Sequence, residues 1–331
     1  MKPAPTFRMG MENALEPGLP ICDAHHHLWE RPPETYLLKD LGGDLQSGHN
    51  IVSTVAVECG YGYRTGGPEE QRPVGEVEFL ESAADRAAAD TVKTRIAAAI
   101  VGFADLSLGD AVAPVLEAHL AASPRRFRGI PYSTTWDASG ELRNEAEAGM
   151  LADGNFRRGF SWLKKLNLTF DAWLYHPQLP ELADLARVFP DVTIALNHIG
   201  APLGVGPYAG KRDEVFRTWS RGIAAIATCP NVAIKLGGVG SARSGYDWHE
   251  RAVKPSSAEL CEILRPYFEW CIEKFGANRC MFESNFPVEK RANSYRVLWN
   301  AFKRLTAHYS AAERAALFHE TACRVYRIPS V

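Results

Sequence analysis

Eight short apolar runs, most of them followed by a stretch with helical periodicity, constrain this 331-residue chain more than any other feature. The runs cover residues 21–27, 53–59, 96–103, 127–133, 168–175, 192–198, 231–237 and 280–286. Near-continuous segments such as VTIAL (192–196) and NVAIKL (231–236) are what strands covered on both faces require. Amphipathic stretches lie between them at 76–90, 110–122, 180–189, 212–229 and 257–275, and two more at 293–306 and 311–326 read as closing helices. Strand alternating with helix predicts a parallel sheet, and eight such units favour a single (β/α)8 TIM barrel. Residues 1–20 then form an N-terminal extension and 21–331 the barrel.

Linker lengths orient that barrel. Connections from helix into strand look short, at 190–191, 230 and 276–279, whereas those leaving strands are long: 28–50, 60–75, 200–211 and 238–256. The long βα loops share one face, where barrels of this kind carry binding and chemistry.

Composition narrows the function classes. The net charge is −2, from 37 basic and 39 acidic residues, and no basic stripe invites nucleic acid. No apolar run approaches the ~20 residues that cross a bilayer, and the first twenty residues lack the pattern of a signal peptide. The seven cysteines are scattered without a C-x-x-C pair, as in reduced, mostly buried thiols. The expectation is a cytoplasmic protein acting on a small molecule, with homo-oligomerisation left open.

The strongest local motif is Asp23-Ala24-His25-His26-His27-Leu28-Trp29 at the end of the first strand. Strand alternation points His25 and His27 to one side, about 6–7 Å apart along the chain, and His26 to the other, between strand and helix. Two imidazoles on one face suit a divalent metal or a carbonyl oxygen, although such a pair can also be satisfied structurally. His198 ends another apolar strand, and the eighth ends in Met281-Phe282-Glu283-Ser284-Asn285-Phe286-Pro287. Polar groups at the ends of strands one, six and eight can therefore converge on the barrel axis.

These motifs resemble a known family. DAHHHLW, NHIG, FDAWLYHPQLPELADLA, NVAIKLGGVG, MFESNFPVEK and LFHETACRVYRI together resemble the amidohydrolase-related family over about residues 21–328. The branch most resembled contains pyrone-dicarboxylate lactonase and sugar-acid lactonases such as fuconolactonase. The resemblance implies that His25, His27 and His198 line a reaction centre and that strand eight supplies a carboxylate. Most of that family reads Gly-Ser-Asp-aromatic-Pro there, whereas this chain has Glu283 in place of the Gly and Asn285 in place of the Asp. An amide takes no proton from water, so Asn285 is not a general base. Glu283, two residues earlier on the same face, becomes the expected replacement carboxylate, with Asn285 orienting water or substrate; the alternative makes Glu283 a buried partner of Lys235 or Arg128.

Around this core, Lys235 interrupts an apolar strand and Glu58 ends the second; each is a pocket candidate or half of an ion pair. His176 follows strand five. Loop residues Tyr61, Tyr63, Arg64, Arg243, Tyr246, Trp248 and His249 include expected substrate contacts for a polar or anionic molecule. His49 is expected to be exposed and without a partner; His119, His308 and His319 fall in helices and receive no role. The leading expectation is a hydrolase opening a cyclic ester of a small polar or carboxylated acid. His25, His27 and His198 could hold one divalent metal, zinc foremost, or work without metal. The alternatives are a metal-dependent decarboxylase or amide hydrolase, and a catalytically idle barrel that binds a metabolite.

Overall fold

The computed structural model describes residues 12–90 and 92–329. Its eight parallel strands form one sheet in sequential order. They are β1 (Pro20–His26), β2 (Asn50–Val57), β3 (Arg95–Val101), β4 (Phe127–Ser133), β5 (Thr169–Trp173), β6 (Ile194–Leu196), β7 (Val232–Leu236) and β8 (Cys280–Phe282). One helix follows each: α1 (Leu38–Leu45), α2 (Val74–Ala89), α3 (Ala113–Ala122), α4 (Gly154–Lys165), α5 (Leu179–Val188), α6 (Arg212–Ala227), α7 (Ser257–Phe275) and α8 (Tyr295–Leu305). This is the expected (β/α)8 barrel. Of the expected N-terminal extension, residues 1–11 lie outside the described residues.

The seam between β8 and β1 closes just beyond the strands. Asn285 N–H donates to the His25 carbonyl and His27 N–H to the Phe286 carbonyl, both at 2.8 Å. The barrel is thus joined by the same residues that carry the candidate chemistry. Two layers of apolar packing hold the fold. A large one lies between sheet and helices, where Leu, Ile and Phe side chains such as Ile100, Phe127, Phe170 and Ile234 are buried. A smaller one fills the barrel's lower interior with Cys22, Ala24, Val55, Val57, Ala99, Val101, Ala195, Ala233 and Met281. These interior side chains are small because Asp171, Lys235, Glu283 and His25 also occupy the axis, all at 2% exposure or less.

The chain after α8 covers the bottom of this interior. Ala311–Ala315, a π turn at Ala316–Glu320 and Thr321–Val325 form the expected closing helix, and Ala322, Val325, Tyr326 and Ile328 pack into the interior cluster. At the opposite end, the first βα connection folds a small hairpin, Trp29–Arg31 against Glu34–Tyr36. Residues 134–153, between β4 and α4, form a further long connection there. No helix among the described residues is long and apolar enough to cross a membrane.

Candidate active site

Three strand ends meet as the alternation pattern anticipates. His25 Nε2 and His27 Nε2 lie 3.2 Å apart, and the His25 and His198 ring centroids are 4.8 Å apart. His198 and Asn285 are not the last residues of their strands: β6 stops at Leu196 and β8 at Phe282. Each sits in a left-handed turn beyond, with φ of 55° and 52°. Such a φ is uncommon for a side-chain-bearing residue and clusters at functional sites. The turn at His198 swings its ring over Glu283. Gly238 makes room for it, because a Cβ there would lie 2.4 Å from the His198 ring.

Glu283 is fully buried beneath the rings. Its Oε1 accepts from His198 Nδ1 at 2.6 Å and from the His198 backbone N–H at 3.1 Å, while Oε2 lies 3.1 Å from His25 Nδ1. Burial pushes this carboxyl up, but the charge and hydrogen bonds of His198 and His25 outweigh it and hold it well below the usual range. The alternative partnership, with Lys235 or Arg128, is not among the contacts of Glu283. Arg128 Nε donates instead to the Tyr326 carbonyl at 3.0 Å, and Lys235 Nζ donates to Asp171 Oδ2 at 2.7 Å.

Lys235 also lies 3.1 Å from His25 Nδ1. Burial first, then the Lys235 charge, holds the His25 ring well below its ordinary pKa; burial brings His27 to about 4. His27 Nδ1 is 2.9 Å from the Val57 carbonyl and donates to it. One tautomer set links the axis: Lys235 donates to His25 Nδ1, His25 Nε2–H donates to His27 Nε2, and His27 Nδ1–H donates to Val57, which leaves His25 without a proton for Glu283 Oε2. Asp171 also accepts from the Tyr326 hydroxyl at 2.7 Å. A continuous polar chain therefore runs up the axis from the barrel floor to the imidazoles.

The donor set suits a divalent cation. His25, His198 and Glu283 present ligand atoms within 4.8 Å of one another, the one such cluster among the described residues. The 3.2 Å between the His25 and His27 ring nitrogens matches the ligand–ligand edge of about 3.3 Å expected for a tetrahedral zinc with bonds of roughly 2.0–2.1 Å. Ligation would displace the proton on His25 Nε2.

Above the imidazoles lies a cavity of about 610 Å³ lined by His25, His27, His198 and Asn285 together with Glu58, Tyr63, Tyr132, Arg143, Asn144, Glu145, Trp173, Asn197, Ser241 and Arg243. Of the expected substrate residues, Glu58, Tyr63 and Arg243 are here. Glu58 accepts from the Tyr63 hydroxyl at 2.7 Å, and burial pushes its carboxyl up. The Arg243 guanidinium stands 5.7 Å from the Trp173 ring centroid. Lys235 lies beneath the imidazoles rather than in the cavity wall.

Tyr61, Arg64, His176 and Trp248 do not line the cavity. Tyr61 turns outward, its hydroxyl 3.4 Å from Glu30. Arg64 pairs with Glu78 on the surface. His176 is buried behind the wall, where its Nδ1 faces Leu203 N–H at 3.4 Å. Trp248 is 2% exposed and stacks on Tyr246 at 4.5 Å, so it packs its own loop. In each case the side chain meets a neighbour outside the cavity. His49, expected to be exposed, is buried between Lys303 Nζ (2.9 Å) and the Arg296 carbonyl (3.2 Å). Sequence reasoning passed over Asp171, although a carboxylate inside an apolar strand is the same signal that Lys235 gave. It also passed over Arg143, Asn144 and Glu145, whose connection offers no motif, and over Trp173 and Asn197.

Comparison with known proteins bears on what this arrangement serves. The amidohydrolase family model matches residues 22–328. An uncharacterised protein, y4mH, of Sinorhizobium fredii is 33% identical, spanning 93% of this chain and 98% of that protein. L-fucono-1,5-lactonase of Burkholderia multivorans is 27% identical over 93% of this chain and 96% of its own. Among solved structures, a zinc-bound amidohydrolase from Burkholderia multivorans superposes with a TM-score of 0.72 at 25% identity, covering 93% of this chain and 99% of that one.

Proposed function

Because this chain belongs to the amidohydrolase family, we propose that it is a hydrolase that opens a cyclic ester, a lactone, of a small polar acid. The Glu283–His198 pair, a 2.6 Å contact at the floor of the cavity, carries the reading. With Nδ1 held by the carboxylate, His198 keeps Nε2 as the acceptor for the cavity it lines. Relatives support the class of bond: two are L-fucono-1,5-lactonases of Burkholderia species, and another is an L-rhamnono-gamma-lactonase of Scheffersomyces stipitis.

In this mechanism His198 takes a proton from water as its oxygen attacks the lactone carbonyl carbon. The Asn285 amide, 3.3 Å from His27 Nε2, and the imidazoles of His25 and His27 orient water and carbonyl. When the ring carbon–oxygen bond breaks, the proton on His198 passes to the departing ring oxygen, leaving an open hydroxy acid. Glu283 does not line the cavity; it positions His198 and stabilises its protonated form, as the carboxylate of a hydrolase triad does. Glu58 and Tyr63 are placed to bind substrate hydroxyls, and Arg243 an acidic or carbonyl oxygen. His25 and His27 would hold a divalent metal such as zinc, which when bound would polarise the scissile carbonyl; His198, whose Nε2 takes the proton, would not be a ligand in this mechanism.

The test is a screen of sugar-acid lactones with a pH indicator, comparing wild type with Glu283→Gln. Acid release is expected from at least one lactone. For Glu283→Gln, kcat should fall about 1,000-fold with little change in KM, since the amide no longer fixes the tautomer. Wild-type protein that opens no lactone, or Glu283→Gln retaining full activity, would overturn the reading.

A further inference from the structure

At the end of the barrel opposite the cavity, two thiols from distant parts of the chain meet. Cys22 lies near the start of β1 and is 1% exposed. Cys323, on the closing helix, is half-buried and packs against the interior cluster that contains Cys22. The two thiols pack in one cluster, and each acts on the other's ionisation. One turn earlier on the same helix, His319 sets its Nε2 3.4 Å from Cys323 Sγ. Arg95, the first residue of β3, adds a nearby positive charge, with Glu320 beside His319 and Asp23 beside Cys22 as the facing negative ones.

We propose that Cys323 is a peroxide-reactive thiol and Cys22 its resolving partner. The arrangement has the parts such a site needs: a reachable sulfur, an imidazole and a guanidinium that favour the thiolate, and a second sulfur against the first. Cys22, with His319 and Arg95, brings Cys323 down to about 5 against the effect of burial. Burial pushes Cys59, Cys261, Cys271 and Cys280 the other way.

The chemistry balances with hydrogen peroxide as the oxidant. The Cys323 thiolate attacks one peroxide oxygen, forming a sulfur–oxygen bond as the oxygen–oxygen bond breaks. The departing hydroxide takes a proton from His319 and leaves as water. The Cys22 sulfur then attacks the sulfenic sulfur, forming the disulfide, and the sulfenic oxygen leaves with the Cys22 proton as a second water. Two thiols are oxidised and one peroxide is reduced to two waters. The product ties the closing helix to β1, the strand that carries His25.

Alkylation of the full-length protein by iodoacetamide at pH 7, followed by peptide mass analysis, tests the thiol. Cys323 should be alkylated about tenfold faster than Cys59, and His319→Gln should remove most of that advantage. After stoichiometric peroxide, unreduced digests should contain a linked peptide pair joining Cys22 to Cys323. In Cys22→Ser, dimedone should instead mark Cys323 as a sulfenic acid. Equal alkylation of Cys323 and Cys59 in wild type would overturn the proposal without reference to any variant. Peroxide treatment that yields neither the linked pair nor the dimedone adduct would also overturn it.

Discussion

Asn285 lies 3.3 Å from His27 Nε2 through an uncharged amide, and His27 stays neutral because burial brings its pKa to about 4. Asn285→Asp would place a negative charge beside that ring and raise its pKa, since a nearby opposite charge favours the protonated form. The acid limb of the kcat/KM profile should then move upward by about one pH unit or more; an unmoved limb would mean that His27 plays no part in the free-enzyme ionisations. Gly238→Ala probes the neighbouring ring. Its Cβ would intrude on His198 Cγ and Nδ1, and Gly238 holds a φ of 69° that alanine tolerates poorly. Activity should fall about 100-fold or more, while far-ultraviolet circular dichroism stays near wild type. At this scale the sequence was legible where strand geometry dictates direction, as at His25 and His27, and where an apolar run gives way to polar residues, as at His198 and Glu283. It was illegible where a side chain could choose among local partners. Arg64 found Glu78 and Trp248 found Tyr246, and no pattern in the loops announces those choices.

Strands and helices were read more easily than loops because each repeats one physical demand. Runs such as 127–133 match β4 at both ends, while β6 and β8 are shorter than their apolar runs because left-handed turns at His198 and Asn285 end the pairing. The connection at 134–153 is polar and carries no periodicity, so nothing in it foretold that Arg143, Asn144 and Glu145 would line the cavity. The closing helix offers a prediction of its own. Tyr326 donates to Asp171, which also holds Lys235. Tyr326→Phe leaves the volume intact and removes one hydrogen bond from a buried carboxylate. Stability should drop by about 1–3 kcal/mol, read as a lower urea midpoint. A few-fold loss in kcat should accompany it as Lys235 loosens beneath His25. Unchanged stability would show that Asp171 is satisfied without the hydroxyl.

For the whole molecule, buried titratable groups set the pH range of stability. Burial lowers His26 to about 3 and His27, His49, His119 and His176 to about 4. Unfolding returns each to about 6.5. Between those values the unfolded chain binds more protons than the folded one, so each histidine costs stability as the pH falls, by about 1.4 kcal/mol per pH unit at most. Asp23, raised by burial to about 6, and Glu76 and Glu289, raised to about 8, act in the opposite direction. Their folded forms keep protons that the unfolded chain has released, so they cost stability as pH rises from about 4 toward those values. Five groups outweigh three below pH 6.5. Above it the histidines fall silent while Glu76 and Glu289 continue to titrate. Cys323, held at about 5, and Lys303, brought to about 8, act in the same direction as the histidines. Thermal melts should therefore rise steeply from about pH 4.5 to 6.5 and change little from there to about 8.5, where these two offset Glu76 and Glu289; a melting temperature that falls between about pH 4.5 and 6.5 would contradict this balance.

The polar chain from Tyr326 to His25 also has a consequence for biosynthesis. Tyr326 leaves the ribosome after all eight strands and after every imidazole of the site. The polar support beneath His25 is therefore completed only when a residue that follows every strand has docked.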